Sequence, residues 1–396
     1  MGLGIYIHIP YCLQRCTYCD FATYVHTEIK PPEFYVELVK KEILLRHDLF
    51  SKFKSMPLKT IYFGGGTPSL ISAHLIVELI AELSKFGYQT GPQTEITIEI
   101  NPATIDERKL EIYLKAGVNR FSVGAQTFSD RLLKMVHREH NAQQTRDTLA
   151  LLRKYNLNFS FDLLFALPTQ TLDELRNDVE IAVDLGAKHI SPYCLTVPEG
   201  HPLSKNRPLE DEQVEMFEII HTQLVQKNFE RYEISNYSLS GFESAHNLLY
   251  WTDQSYWGLG LSAHSYMKTT GDEKNWGARF WNASNFDLYS NDISEHCLAT
   301  VVSELKPNLR EDLQFHQSLT DYCHTALRLS KGLQLQSVKE KFGTAAELQV
   351  SEIAKPMVTH NVITSADGAF RLTDKGVLVS NQIFEKFTFL AGDVKA

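Results

Sequence analysis

The stretch Gly4-Ile5-Tyr6-Ile7-His8-Ile9-Pro10-Tyr11-Cys12-Leu13-Gln14-Arg15-Cys16-Thr17-Tyr18-Cys19 decides how the chain is read. Its first half is a short Ile-rich run ended by Pro10, the pattern of a β-strand followed by a turn. Its second half is a loop carrying three thiols within eight residues, spaced C-x3-C-x2-C. The remaining cysteines, Cys194, Cys297 and Cys323, are scattered. Secreted disulfide frameworks are denser and usually occur in shorter chains, so a tight thiol cluster in 396 residues points to a metal rather than to cross-links.

Working outward, the opening strand is the first of a series. Short runs rich in Ile, Val, Phe and Tyr occur at Ile5–Ile9, Thr60–Phe63, Ile96–Ile100, Arg120–Val123, Phe159–Phe165 and His189–Leu195, mostly followed by Gly, Pro or Asn. Between them Pro32–Phe50, Ala73–Phe86, Ile105–Ala116, Ala142–Tyr155 and Leu172–Leu185 carry apolar residues at three- and four-residue steps, which predicts helices. Pro32 near a helix start, and Gly87, Gly117 and Gly186 just after helix ends, are the matching punctuation. Six such repeats predict an α/β fold: a parallel sheet covered by helices and curved into a partial (β/α)6, TIM-like barrel. Chemistry is then expected at the carboxyl ends of the strands.

The alternation stops after Pro198-Glu199-Gly200. Glu210–Lys227 reads as a further helix, and Tyr232–Trp281 as an aromatic, Gly-rich segment holding all four tryptophans. From about Cys297, two or three helices and a hairpin over Asn361–Leu372, turning at Asp367-Gly368, predict a small winged-helix-like unit. The expected organisation is residues 1–205 for the barrel, 206–296 for an α/β extension and 297–396 for the C-terminal unit.

Hydrophobic residues make up 43% and charged residues 22%, a balance that can bury a sizeable core. The net charge of −9 argues against nucleic acid as a partner, whose binding is driven by phosphate neutralisation. No run approaches the roughly 20 apolar residues of a membrane helix; His74–Phe86, for instance, is broken by Glu78 and Glu82. Residues 1–10 enter the strand pattern without a basic leader or cleavage site, so the expected compartment is the cytoplasm.

Three clustered thiolates match three corners of a cubane iron–sulfur cluster, leaving the fourth iron open to a small ligand. The competing reading is a zinc site completed by His8, Asp20 or His26. Gly64-Gly65-Gly66-Thr67-Pro68 ends the second strand, where glycines let a ligand approach peptide N–H and C=O groups. Glu99 ends the third strand, Gln126 follows the fourth, Arg138 comes a short helix later, and Asp162 lies within the fifth. Each alone reads equally well as a structural strand-end residue; together they fall on one rim.

Tyr6-x-His8-Ile9-Pro10-x-Cys12-x3-Cys16-x-Tyr18-Cys19 with Gly64-Gly65-Gly66-Thr67-Pro68 resembles the radical S-adenosylmethionine (SAM) superfamily. Within it the chain is similar to the oxygen-independent coproporphyrinogen III oxidases and their relatives. That likeness continues through Val123-Gly124-Ala125-Gln126, Asp162–Pro168 and Tyr232–Tyr237, and reaches Arg371-Leu372-Thr373. The resemblance implies that Cys12, Cys16 and Cys19 ligate a [4Fe–4S] cluster whose open iron is chelated by SAM. It implies that Tyr6, Gly65, Gly66, Thr67 and Glu99 contact SAM, and that Tyr18, Gln126, Arg138 and Asp162 match positions that bind a second SAM in the oxidase.

Two departures separate the chain from the oxidase, which has a further cysteine two residues beyond the last cluster ligand, where Phe21 stands here, and a long segment before its cluster. Conversely, His246-Asn247-Leu248-Leu249-Tyr250-Trp251 resembles the HNxxYW motif of a sister branch, the HemW-type haem chaperones. That likeness implies haem as cargo, with acceptor haem proteins such as respiratory enzymes as partners. It is also compatible with peripheral membrane contact, although the sequence shows no amphipathic anchor. His246, Asn247, Tyr250 and Trp251 are the candidate haem residues, and His264 competes with His246 as axial ligand. The plainer reading is that His246 hydrogen-bonds within an aromatic core. Cys194 reads as a buried strand thiol.

Overall fold

The computed structural model describes residues 2–268, 276–294 and 307–393. Six parallel strands follow the order of the sequence: β1 (Gly4–Ile9), β2 (Thr60–Gly65), β3 (Glu95–Ile100), β4 (Arg120–Gln126), β5 (Asn158–Phe165) and β6 (His189–Cys194). Helices α1 (Pro32–Arg46), α2 (Ala73–Lys85), α3 (Glu107–Lys115), α4 (Asp130–Met135), α5 (Ala142–Lys154) and α6 (Leu172–Asp184) connect them. Local chemistry sets these helix boundaries. Asn141 with Gln144, and Thr171 with Glu174, form reciprocal capping boxes at the starts of α5 and α6. Gly87, Gly117 and Gly186 adopt the left-handed backbone just after α2, α3 and α6.

The chain then extends the sheet at both edges. After α7 (Glu210–Gln226), β7 (Glu230–Glu233) and β8 (Asn236–Ser238) pair antiparallel beyond β6. The short α8 (Ala245–Trp251) leads into β9 (Tyr256–Leu259), which joins the opposite edge parallel to β1. There β10 (His264–Met267), β11 (Ala278–Trp281) and β12 (Arg310–Asp312) continue antiparallel, giving twelve strands among the described residues. The aromatic segment predicted as an extension therefore supplies strands to both edges of the sheet, with α8 between them. α9 (Phe286–Ser294) follows β11, and the boundary expected near Cys297 lies outside the described residues.

The C-terminal part has its own core of Leu319, Cys323, Leu327, Val338, Phe342, Ile363, Phe370 and Ile383, among others. It contains α10 (Phe315–Arg328), β13 (Leu333–Gln334), α11 (Leu335–Thr359), the hairpin β14 (Ile363–Ala366) and β15 (Ala369–Leu372), α12 (Asp374–Leu378) and α13 (Ser380–Lys386). The hairpin turns at Asp367-Gly368 as the sequence predicts. Ion pairs tie this unit to the sheet: Arg328 with Glu233, Arg231 with Asp374, Arg279 with Asp321 and Lys341 with Asp253.

The six parallel strands carry an inverted polarity that creates the site. Alternate residues point to opposite faces. Ile61 and Phe63, Ile96 and Ile98, Phe121 and Val123, and Phe159 and Phe161 belong to the main core. The intervening Tyr62, Glu99, Arg120, Ser122, Ser160, Asp162, His189, Ser191 and Tyr193 line a cavity of about 450 Å³. No helix among the described residues is long and apolar enough to cross a membrane.

Candidate functional site

The cysteine loop is pinned where it leaves β1. Tyr11–Cys12 pairs in parallel with Tyr24–Val25, and the N–H groups of Tyr24 and His26 donate to the carbonyls of Pro10 and Cys12, each at 2.8 Å. The end of β2 is stitched to the same loop: Gly66 N–H donates to Ile9 O and Thr67 N–H to Tyr11 O, both at 2.8 Å. A Cβ on Gly66 would stand 2.7 Å from Tyr11 O, so only glycine permits this approach.

Cys12, Cys16 and Cys19 are half-buried and all line the cavity. Burial pushes the Cys12 thiol up to about 11 and raises that of Cys19, a cost that a cation at the site would remove. The Thr67 hydroxyl lies 3.9 Å from the Cys12 sulfur and Arg138 Nη1 3.5 Å from that of Cys16. The zinc alternative loses its completing ligands. His8 uses both ring nitrogens, with Tyr6 OH at 3.1 Å and Ala22 O at 2.9 Å. Asp20 and His26 are exposed and stand outside the cavity lining. A soft, all-thiolate donor set of three fits an iron–sulfur cluster with one open corner.

The other rim residues converge as well. Gly65, Gly66, Thr67, Glu99, Gln126, Arg138, Asp162 and Tyr18 share the cavity with the thiols. Glu99 accepts from Tyr62 OH at 2.9 Å and from Gly65 N–H at 3.1 Å. Burial lifts its carboxyl to about 7, with the Asp162 charge adding to the rise and the two hydrogen bonds opposing it. Burial likewise lifts Asp162 to about 6 against hydrogen bonds from Ser191 and Ser122. Gln126 is held at φ 68°, a left-handed conformation uncommon for a residue with a Cβ, where the chain leaves β4. Tyr6 stands outside the lining; its ring stacks on Tyr62 at 6.1 Å between centroids.

The HNxxYW segment forms α8, and its residues part company. Asn247 lines the cavity; His246, Tyr250 and Trp251 do not. His246 is 1% exposed, stacked on Tyr62 at 4.9 Å, and hydrogen-bonded through Nδ1 to Thr60 Oγ1 at 2.6 Å and through Nε2 to Tyr250 OH at 2.8 Å. Of its two readings, this geometry is that of the hydrogen-bonded core residue, because neither ring nitrogen is free for an iron. Burial and the neighbouring Arg120 lower its pKa to about 3. The Arg328 guanidinium covers the Trp251 ring at 4.4 Å. His264 is exposed on β10 and stacks on Trp281 at 5.6 Å.

Two further corrections concern the far wall. Cys194, read as buried, is exposed as the last residue of β6, and it lines the cavity. Arg120, Ser122, Ser160, His189, Ser191 and Tyr193 also line it, although no motif marks them. Their signal was the polar half of each strand's alternation.

The model of the radical SAM superfamily matches residues 6–182. The haem chaperone HemW of Lactococcus lactis (strain IL1403) is 31% identical over 391 residues, covering 96% of both chains. The chain belongs to the HemW family of radical SAM proteins. HemW of Bacillus subtilis (strain 168) is 30% identical over 390 residues, with 96% of this chain and 98% of the relative covered. HemW of Escherichia coli (strain K12) is 36% identical over 267 residues, 66% of this chain and 69% of its own. Among solved structures, the Escherichia coli coproporphyrinogen III oxidase HemN aligns over 98% of this chain and 90% of its own, with a TM-score of 0.80. At 20% identity that likeness shows the fold alone. Membership implies a [4Fe–4S] cluster and SAM as cofactors.

Proposed function

We propose that this protein binds haem and delivers it to acceptor haem proteins, respiratory enzymes among them, from the cytoplasm. The observation that carries this reading is the end-to-end similarity to HemW chaperones, including the His246–Trp251 segment. In this reading residues 1–205 form the cofactor-holding barrel, 206–296 the extension that carries the motif, and 297–396 a winged-helix-like unit that braces α8 through Arg328.

Cys12, Cys16 and Cys19 would hold the [4Fe–4S] cluster, and Tyr6, Gly65, Gly66, Thr67 and Glu99 would receive SAM. When bound, this pair supplies one-electron chemistry. Glu99 presents a carboxylate for ribose hydroxyls and Gly65–Thr67 expose backbone groups. Tyr18, Gln126, Arg138 and Asp162 would form the second polar wall. Asn247 would offer an amide contact to haem from the cavity side of α8; Tyr250 and Trp251, expected from the motif as haem residues, stand outside the cavity lining and would act by bracing α8, with His246 fixing the orientation of Tyr250.

The alternative is oxidative decarboxylation of coproporphyrinogen III. The fold is compatible with it, but the side chain two residues after Cys19 is Phe21, 65% exposed at the cavity and without a thiol. The test is a haem titration of anaerobically reconstituted protein, with and without SAM, recording 5′-deoxyadenosine and assaying coproporphyrinogen in parallel. Stoichiometric haem binding without porphyrinogen turnover supports the chaperone reading. Turnover, or haem uptake no better than that of an unrelated protein, overturns it.

A further inference from the structure

Three Phe, Tyr or Trp side chains among the described residues are exposed: Phe21 at 65%, Tyr193 at 44% and Phe34 at 43%. Phe34 lies on α1 outside the cavity lining, whereas Phe21 and Tyr193 both belong to it. A single apolar ring left to water is ordinary, but two in one cavity make a patch suited to a ligand. Neither ring is stacked on another ring or on a cation among the described residues. Covering them removes apolar surface from water, and a flat π-system is the partner that matches an aromatic face in shape and charge distribution.

The two rings come from opposite ends of the parallel set. Phe21 follows β1 in the cysteine loop, two residues past Cys19, and Tyr193 stands at the carboxyl end of β6. The sheet order places β1 and β6 at the two ends of the six parallel strands. Curvature brings those ends together: Leu195 shares an apolar cluster with Tyr18 of the cysteine loop, and His201 Nε2 donates to Thr17 O at 2.9 Å. Both rings stand on fixed backbone. Thr23 N–H donates to Phe21 O at 2.8 Å, and His8 Nε2 bonds Ala22 O at 2.9 Å. Tyr193 shares the inward parity of His189 and Ser191 on β6. Burial raises its hydroxyl well above the ordinary tyrosine range, so the accessible surface of the ring belongs to the cavity and not to the outside of the sheet.

We infer that Phe21 and Tyr193 form the aromatic platform that takes the face of a bound porphyrin, across the carboxyl-end rim of the barrel. The inference rests on the haem reading above and deepens it. It places the ring contacts beside the cysteine loop and not on α8, whose Tyr250 and Trp251 stand outside the cavity lining. The residues assigned to SAM form a different set, Gly65–Thr67 and Glu99 at the ends of β2 and β3. Two flat ligands come to this cavity under that reading, the porphyrin and the adenine of SAM. The porphyrin is the broader and the more apolar, which suits two separate rings carried by the first and last parallel strands. The experiment separates the two.

Anaerobically reconstituted full-length protein is titrated with haem, with metal-free protoporphyrin IX and with SAM, and iron per chain is measured in every variant. Phe21→Ala and Tyr193→Ala should each weaken haem roughly tenfold, the worth of one aromatic contact. Both should weaken protoporphyrin IX equally, because a ring face is recognised without iron, and should leave SAM affinity unchanged. Tyr193→Phe, which keeps the ring and loses only the hydroxyl, should stay within about twofold of the native protein. Phe34→Ala, at an exposed ring outside the cavity, should change nothing. Native protein that binds haem while both alanine variants match it overturns the platform and spares the haem reading; no haem binding by the native protein overturns that reading and the platform with it. Weakening confined to haem makes the effect one of the iron and overturns the face contact. Loss of SAM affinity with haem unchanged assigns the rings to adenine and overturns the porphyrin assignment. Haem loss that tracks iron loss reduces Phe21 to support of the cysteine loop and also overturns the platform. Should Tyr193→Ala fail to fold, Phe21→Ala, at an exposed position, decides alone.

Discussion

Glu99 couples cofactor recognition to stability, and replacing it with glutamine should make that coupling measurable. Its carboxyl titrates near 7 in the folded chain against an ordinary 4.5, burial being the main cause. A carboxyl raised on folding gives stability that is fully present below the unfolded value and is lost as pH rises through the folded one. Between pH 5 and pH 8 this one group should therefore remove about 2.5 kcal/mol of stability. Glu99→Gln cannot ionise and should lose this dependence. It loses the ideal pairing with either Tyr62 OH or Gly65 N–H, a cost of about 1 kcal/mol that at pH 5 nearly cancels the roughly 0.8 kcal/mol the native carboxyl has already lost, leaving the two chains close to equal. At pH 8 the variant should be the more stable by about 2 kcal/mol. The assay is urea unfolding of the cofactor-free chain at both pH values, comparing midpoints and slopes. A difference between native and variant that does not change with pH, or that grows in favour of the native chain at pH 8, would refute the reasoning.

Three other perturbations follow from the same geometry. His246→Ala should destabilise the haem-free chain by about 2–4 kcal/mol, because it opens a cavity against Tyr62 and leaves Thr60 and Tyr250 unpaired; unchanged thermal unfolding would contradict its core role. Arg328→Ala strips the partner from Glu233, whose side chain is 0% exposed, and uncovers Trp251; a loss of about 3–5 kcal/mol and a change in tryptophan fluorescence are expected. Gly66→Ala places a methyl 2.7 Å from Tyr11 O and 2.9 Å from Ile9 O. That clash should cost about 1–3 kcal/mol and lower iron retention by spreading the cysteine loop, measured as iron per chain.

The barrel was legible because its signals are local. The run His189–Leu195 became a strand over His189–Cys194, and the periodic stretch Leu172–Leu185 a helix over Leu172–Asp184 closed by Gly186. The sheet beyond six strands was not legible. Tyr256–Leu259 spans four residues and acquires its place by pairing with Gly4–Ile7, about 250 positions away, a register that no local pattern encodes. The candidate site was legible where residue chemistry is unusual in sequence, as in Cys12, Cys16 and Cys19 or Gly64-Gly65-Gly66. Arg120 and His189 carried no such mark. Each begins a strand whose apolar half faces the helices, and only closure of the sheet turns its polar half inward. His246 could be read in sequence either as a core residue or as a ligand, because the hydrogen-bond partner that decides between them, Thr60, lies on a distant strand.

The central claim is that Cys12, Cys16 and Cys19 hold a [4Fe–4S] cluster facing the SAM wall of one cavity. Anaerobic reconstitution of the native chain and of the Cys12→Ala, Cys16→Ala, Cys19→Ala triple variant, followed by iron and sulfide analysis, tests it most directly. The account predicts about four irons and four sulfides per native chain and background levels in the variant. Equal iron in both proteins, or stoichiometric zinc without sulfide in the native one, would contradict it.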